Sequence, residues 1–161
     1  MIRVNDILHH PLFEDALRRL AILEADRLFC RHDLTHLLDV ARIMWIETLE
    51  NHLPLSRETV YASALLHDIG RAEKLEGGRP HEEAGAALAA IILPEVGFSH
   101  QETAEILSAI HTHRGHIQTN QQSPLGELLQ RADKLCRPCW CCPSAGPCNW
   151  PEDRKNSGIS R

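Results

Sequence analysis

The sequence predicts a single all-α domain of about six helices. Two observations lead there. Apolar residues recur at three- and four-residue steps in six separate segments, with no convincing strand pattern between them. Composition agrees: 43% apolar residues, rich in Leu and Ala, with only 4% aromatics, favour helix over sheet. At 161 residues the chain is long enough to bury one proper core.

The elements follow in order. Phe13, Ala16, Leu17, Leu20 and Leu23 give the first helix its apolar face. Asp33 caps a second that runs through Leu37, Val40, Ile43 and Met44 to about Leu49, because a short acidic side chain satisfies the orphan N–H groups of a first turn. The third starts near Arg57 and ends in ASALLHDIG, with Gly70 as a C-terminal stop that sets His67 and Asp68 in the last turn. RAEKLEGGRP reads as a polar, glycine-rich loop, and Pro80 opens a fourth helix with His81, Gly85, Leu88 and Ile92 on one face. The last two, SHQETAEILSAIHTHR and PLGELLQRADKLCR, flank the polar loop GHIQTNQQS. After Arg137 the composition shifts to PCWCCPSAGPCNWP, which cannot continue a helix. The expected division is therefore a helical domain over 1–137 and a cysteine- and proline-rich extension over 138–161, its final EDRKNSGISR disordered.

A net charge of −5 with no basic run argues against a nucleic-acid partner or an anionic membrane surface, although a local phosphate pocket would be invisible in that sum. The absence of a long apolar stretch and of a secretion signal at MIRVNDILHHPLFEDALRR makes a cytoplasmic protein the expectation, with no membrane partner and with a homodimer compatible with the sequence. Six cysteines in such a chain read as thiols or metal ligands.

Chemistry enters with histidines and aspartates on apolar faces. His36 shares a face with Val40 and Ile43, Asp68 with Ala64 and Leu65, and Asp133 with Leu125, Leu129 and Cys136. A carboxylate on a buried face costs several kcal/mol unless a cation meets it, and a divalent metal would do so. The adjacent His67 and Asp68 can wrap one ion, or Asp68 can bridge two. A histidine and carboxylate set without thiolate suits Fe, Mn, Co, Ni or Mg, with phosphoester hydrolysis by metal-activated water as the natural chemistry.

These residues resemble the HD-domain metal-dependent phosphohydrolases, in HLLDVA at His36, LLHDIG at His67 and Asp68, and RAD at Asp133, from about His32 to Cys136. The resemblance implies a helical bundle around one or two divalent metals. His81 in HEEAGAALA and His113 in AIHTHRG look like the extra histidines of dinuclear branches such as the symmetrical diadenosine tetraphosphate hydrolases; His111 competes with His113, which lies nearer the Ile106 and Ile110 stripe. A dinuclear site bridged by Asp68 is the favoured version. Three residues after Asp68, where nucleoside monophosphatases of the family carry Glu and dinuclear branches commonly Lys, stands Arg71, which suits a grip on substrate phosphate and cannot act as a base. The G-Y-P signature of the cyclic-di-GMP branch is absent from RGHIQTN.

The expected function is hydrolysis of a nucleotide or dinucleoside polyphosphate, with Asp68 and Arg71 catalytic and Arg71 and His32 meeting substrate. The alternative is a catalytically silent nucleotide- or metal-sensing module. In the tail, Cys136, Cys139, Cys142 and Cys148 form C-x-x-C-x-x-C-x5-C, a spacing that can close on zinc or an iron-sulfur cluster.

Overall fold

The structure, a computed structural model, describes residues 1–113 and 123–159. The loop expected over 115–123, including the segment that lacks G-Y-P, falls outside the described residues except for Ser123. The fold is all-helical, as the periodicity implied, with eight α-helices among the described residues: α1 (Ile2–Leu8), α2 (Pro11–Leu23), α3 (Leu34–Glu50), α4 (Arg57–Leu66), α5 (Arg71–Leu75), α6 (His81–Glu95), α7 (His100–Thr112) and α8 (Pro124–Leu135).

Helix α4 is the centre of the bundle. Thr59, Val60 and every residue from Ala62 to Leu66 are buried, so beyond its first turn only Tyr61 of this helix is partly exposed, and it packs against α3, α7, α1, α6 and α8. Its run of Ala62, Ser63 and Ala64 keeps the neighbours close, and the larger side chains Leu37, Met44, Leu65, Ile106, Ile110 and Leu125 fill the space between helices. Each such burial contributes about 1.5 to 3 kcal/mol. Helices α6, α7 and α8 pack in succession, and α3 closes the ring against α8. The α3–α8 contact also carries Glu47, 2% exposed, which accepts from Arg131 Nε at 2.7 Å.

Local sequence explains the starts. Asp33 accepts from the His36 N–H at 3.0 Å, Ser56 from Thr59 at 3.0 Å and Ser123 from Gly126 at 3.1 Å, while Ser99 and Glu102 form a reciprocal capping box. Two short helices were not foreseen. In α1, Val4 and Ile7 reach the core and Arg3 ties the helix to Glu58 at 2.7 Å and Glu102 at 2.9 Å. In α5, read from sequence as loop, one buried residue, Ala72, gave too little periodicity to register.

Gly70 has a different role from the expected helix stop. Helix α4 ends at Leu66, and Gly70 has φ −74°, a conformation any residue adopts. What it supplies is space: a Cβ there would lie 2.2 Å from both Gly85 N and His81 O, so the turn after α4 packs directly on the backbone of α6.

Among the described residues the tail is likewise not the frayed end expected of EDRKNSGISR. Residues 152–154 form a 3-10 turn, and Asn156 Nδ2 donates to the carbonyls of Lys134 at 2.8 Å, Leu135 at 3.1 Å and Arg137 at 2.7 Å, satisfying the open end of α8. Ser144 Oγ donates to Leu28 O at 2.5 Å, and the Arg137 guanidinium lies 4.0 Å over the Trp150 ring. No helix among the described residues is long and apolar enough to cross a membrane.

Candidate metal centre

Five elements converge on Asp68. His36 comes from the first turn of α3, His67 and Asp68 from the turn after α4, His81 from the start of α6, His113 from the end of α7 and Asp133 from the last turn of α8. Asp68 Oδ2 faces His36 Nε2 at 3.6 Å and His67 Nε2 at 3.2 Å, while Oδ1 faces His81 Nε2 at 3.5 Å and Arg71 Nε at 2.7 Å. Asp133 Oδ1 lies 3.4 Å from His36 Nε2 and 3.8 Å from His67 Nε2. Two ligand groups result, His36 with His67, Asp68 and Asp133, and Asp68 with His81 and His113; in each, all donor atoms lie within 4.8 Å of one another. Asp68 is common to both. His113 is buried whereas His111 is exposed, so only the former reaches the centre.

The other ring nitrogen of each histidine explains its orientation. His67 Nδ1 donates to Ala64 O at 2.7 Å and His113 Nδ1 to Ile110 O at 2.6 Å, while His81 Nδ1 sits 2.8 Å from Glu82 Oε2 and His36 Nδ1 3.4 Å from Cys136 Sγ. With Nδ1 taken up by these contacts, Nε2 is the nitrogen each ring can offer to a metal. The centre also demands positive charge. Apart from the Arg71 ion pair on Oδ1, the oxygens of Asp68 make no well-aligned hydrogen bond, nor do His36 Nε2 and His67 Nε2, though all are buried. Burial disfavours an imidazolium at His67, yet Asp68 and Asp133 outweigh it and hold its pKa up to about 10. Both carboxylates stay well below the usual range because His67, with Arg71 or His36, offsets their desolvation. Burial and the neighbouring His67 charge push His113 down to about 4. Donor chemistry, orientation and unpartnered atoms all fit divalent metal, and the arrangement can hold one ion or two.

His32 stands beside the centre, its ring 5.5 Å from that of His36 and its Nδ1 2.7 Å from Glu24 Oε1. Both partners are buried, and burial pushes His32 down in spite of Glu24. Glu24 escaped sequence reading because it belongs to no recognisable spacing and meets His32 only through the turn after α2.

The cysteine set predicted to hold a second metal is not brought together. Among the described residues no group of three or more ligands includes Cys136, Cys139, Cys142 or Cys148, and all six cysteines are free. Cys136 still belongs to the end of α8, where its thiol donates to Asp133 O at 3.2 Å and backs His36, whereas Cys139 sits past Pro138 on a separate 3-10 turn. Burial, then Asp133, raises the Cys136 thiol above its usual range, so it stays protonated.

Comparison with known proteins locates this centre in a family. The HD domain model matches residues 33–137, which hold all six centre ligands. The chain belongs to the HD domain family. An HD domain binds divalent metal, and the His and Asp cluster here could hold it. An uncharacterized protein of Clostridium beijerinckii is 38% identical over 159 residues, 99% of both chains. Ribonuclease Y of Oleidesulfovibrio alaskensis is 29% identical over 130 residues, 81% of this chain, and that of Enterococcus faecalis 29% identical over 126 residues, 78% of this chain. This chain spans only 23% and 22% of those two enzymes. The crystal structure of a predicted HD superfamily hydrolase from an uncultured Thermotogales bacterium superposes with a TM-score of 0.63 at 26% identity, covering 90% of this chain and 82% of that one.

Proposed function

We propose that this HD domain is a metal-dependent phosphohydrolase that cleaves a phosphoester or phosphoanhydride of a nucleotide or dinucleoside polyphosphate at a dinuclear centre. The observation that carries the reading is the placement of Asp68, a buried carboxylate whose two oxygens face two different sets of histidines and which only the Arg71 ion pair on Oδ1 offsets. HD family membership and the hydrolase likeness support a metal-dependent phosphohydrolase in general. The nucleotide substrate is our inference.

His36, His67, Asp68 and Asp133 would hold one ion, and Asp68, His81 and His113 a second. When bound, Fe, Mn, Co, Ni or Mg supplies Lewis acidity toward phosphate and lets a water ionise near neutral pH. Arg71 commits Nε to Asp68, and the remaining donors of its fork are assigned to a substrate phosphate oxygen, where bidentate geometry fixes the phosphorus for in-line attack. His32, held through Nδ1 by Glu24 and kept neutral by burial, is assigned to accept a proton at Nε2. A full ligand set favours turnover over a silent sensing module.

The test is metal analysis together with hydrolysis of bis-p-nitrophenyl phosphate and a nucleotide panel, with manganese added. Asp68→Asn should lose metal and turnover together. It should also lower the stability of the metal-free protein by about 3 kcal/mol, because Arg71 is left as a partly buried unpaired cation. Full activity in this variant would sink the assignment.

A further inference from the structure

The extension beyond Arg137 does not merely cover the end of α8. A cavity of about 860 Å³ opens over the metal centre, bounded on one side by His36, His113 and Asp133 and on the other by tail residues that include Trp150 and Arg154. That volume falls within the range of roughly 300 to 1,000 Å³ typical of small-molecule sites. Although the chain carries a net charge of −5, the cavity is lined by the cations Arg27, Arg71, Lys134, Arg137 and Arg154 against the carboxylates of Asp133 and Asp153. Beyond the reach of one phosphate at the centre, the same wall thus carries several further cations.

The wall is held rigidly. Arg137 is 8% exposed, donates from Nε to Lys134 O at 3.1 Å and stacks on Trp150, which is itself 37% exposed and lines the cavity. Asn156 binds three carbonyls at the end of α8, so the tail is fastened to the helix that presents Asp133. An indole edge with fixed guanidinium groups matches a ligand with an aromatic base at one end and multiple negative charges at the other.

We propose that the tail is the substrate-recognition wall of this site, with Trp150 stacking a nucleobase and Arg27, Lys134, Arg137 and Arg154 taking phosphates other than the one at the metals. The ligand class is a nucleotide bearing two or more phosphates. The placement of the reacting phosphate rests on the phosphohydrolase reading; the binding itself does not.

The experiment is tryptophan-fluorescence titration of the full chain, chelator-treated so that hydrolysis does not compete, with ATP, ADP, AMP, inorganic phosphate and a short oligoribonucleotide. ATP and ADP should quench with Kd at least tenfold below that of AMP. Trp150→Leu should abolish the quench, whereas Trp140→Phe, on a different surface, should keep it. Since Trp150→Leu could disturb the tail, Arg154→Ala, an exposed residue, serves as the second variant: it should raise Kd for ATP about tenfold and that for AMP far less. Equal affinity for ATP and AMP, quenching that survives Trp150→Leu, or tighter binding of the oligoribonucleotide than of ATP would each overturn the proposal. A chain that binds ATP this way yet hydrolyses nothing refutes the hydrolytic reading alone; one that cleaves bis-p-nitrophenyl phosphate but ignores ATP refutes only this one.

Discussion

Gly70→Ala should damage the metal centre without altering any ligand. The new Cβ would lie 2.2 Å from Gly85 N and His81 O and 2.9 Å from Ala84 C, all backbone atoms that cannot rotate away. Restoring an ordinary contact near 3.4 Å requires the first turn of α6 to retreat by about 1.2 Å, and His81 is the first residue of that helix. Metal ligation tolerates about 0.2 Å, so the second ion should be lost while the ion at His36, His67 and Asp133 is weakened less. Overpacking of this kind costs about 3 kcal/mol, equivalent to a fall in Tm of roughly 6 to 12 °C in a chain of this size. A displacement of this scale at a reacting centre lowers turnover about 100-fold. The assay pairs elemental analysis with thermal denaturation and hydrolysis of bis-p-nitrophenyl phosphate. Gly85→Ala is the internal control, since its Cβ would meet neighbours only at 3.4 to 3.5 Å and should change metal content little. Gly77→Ala is a second: it strains a φ of +87° by about 1 kcal/mol but touches nothing. Wild-type Tm and metal content in Gly70→Ala would refute the close-approach argument.

Two further outcomes are expected. His81→Ala and His113→Ala should each bring the metal stoichiometry from two equivalents toward one while leaving the fold intact; a wild-type stoichiometry of one, unchanged in both variants, would make them buried core histidines. Glu102, drawn down from 4.5 to about 2 by Arg3 and the Ser99 N–H, contributes stability that is fully present above pH 4.5 and lost as pH falls toward 2. Because the pair is partly exposed, this amounts to about 1 kcal/mol, and Glu102→Gln should flatten the acid limb of a Tm-against-pH curve by that amount; an unaltered limb would place the acid sensitivity elsewhere.

By itself the sequence determined the helical class, most helix starts and the centre's candidate ligands. Those are properties of local spacing: Asp33 announces a cap within four residues of the group it satisfies, and a histidine or aspartate on an apolar stripe is visible one turn either way. It also placed His113 ahead of His111, because only one of two residues two positions apart can face inward. What it could not give were relations between segments far apart in the chain. Gly70 looks like a helix stop until α6 is seen 2.2 Å from where a side chain would be, and four cysteines look like one site although the described residues bring no three of them together. Glu24 behind His32, Asn156 on the end of α8 and Trp150 across the cavity from Asp133 have no periodicity to betray them. Local pattern fixes which side chains must leave water; only packing decides which of them meet, because a contact between distant segments depends on the course of all the chain between them.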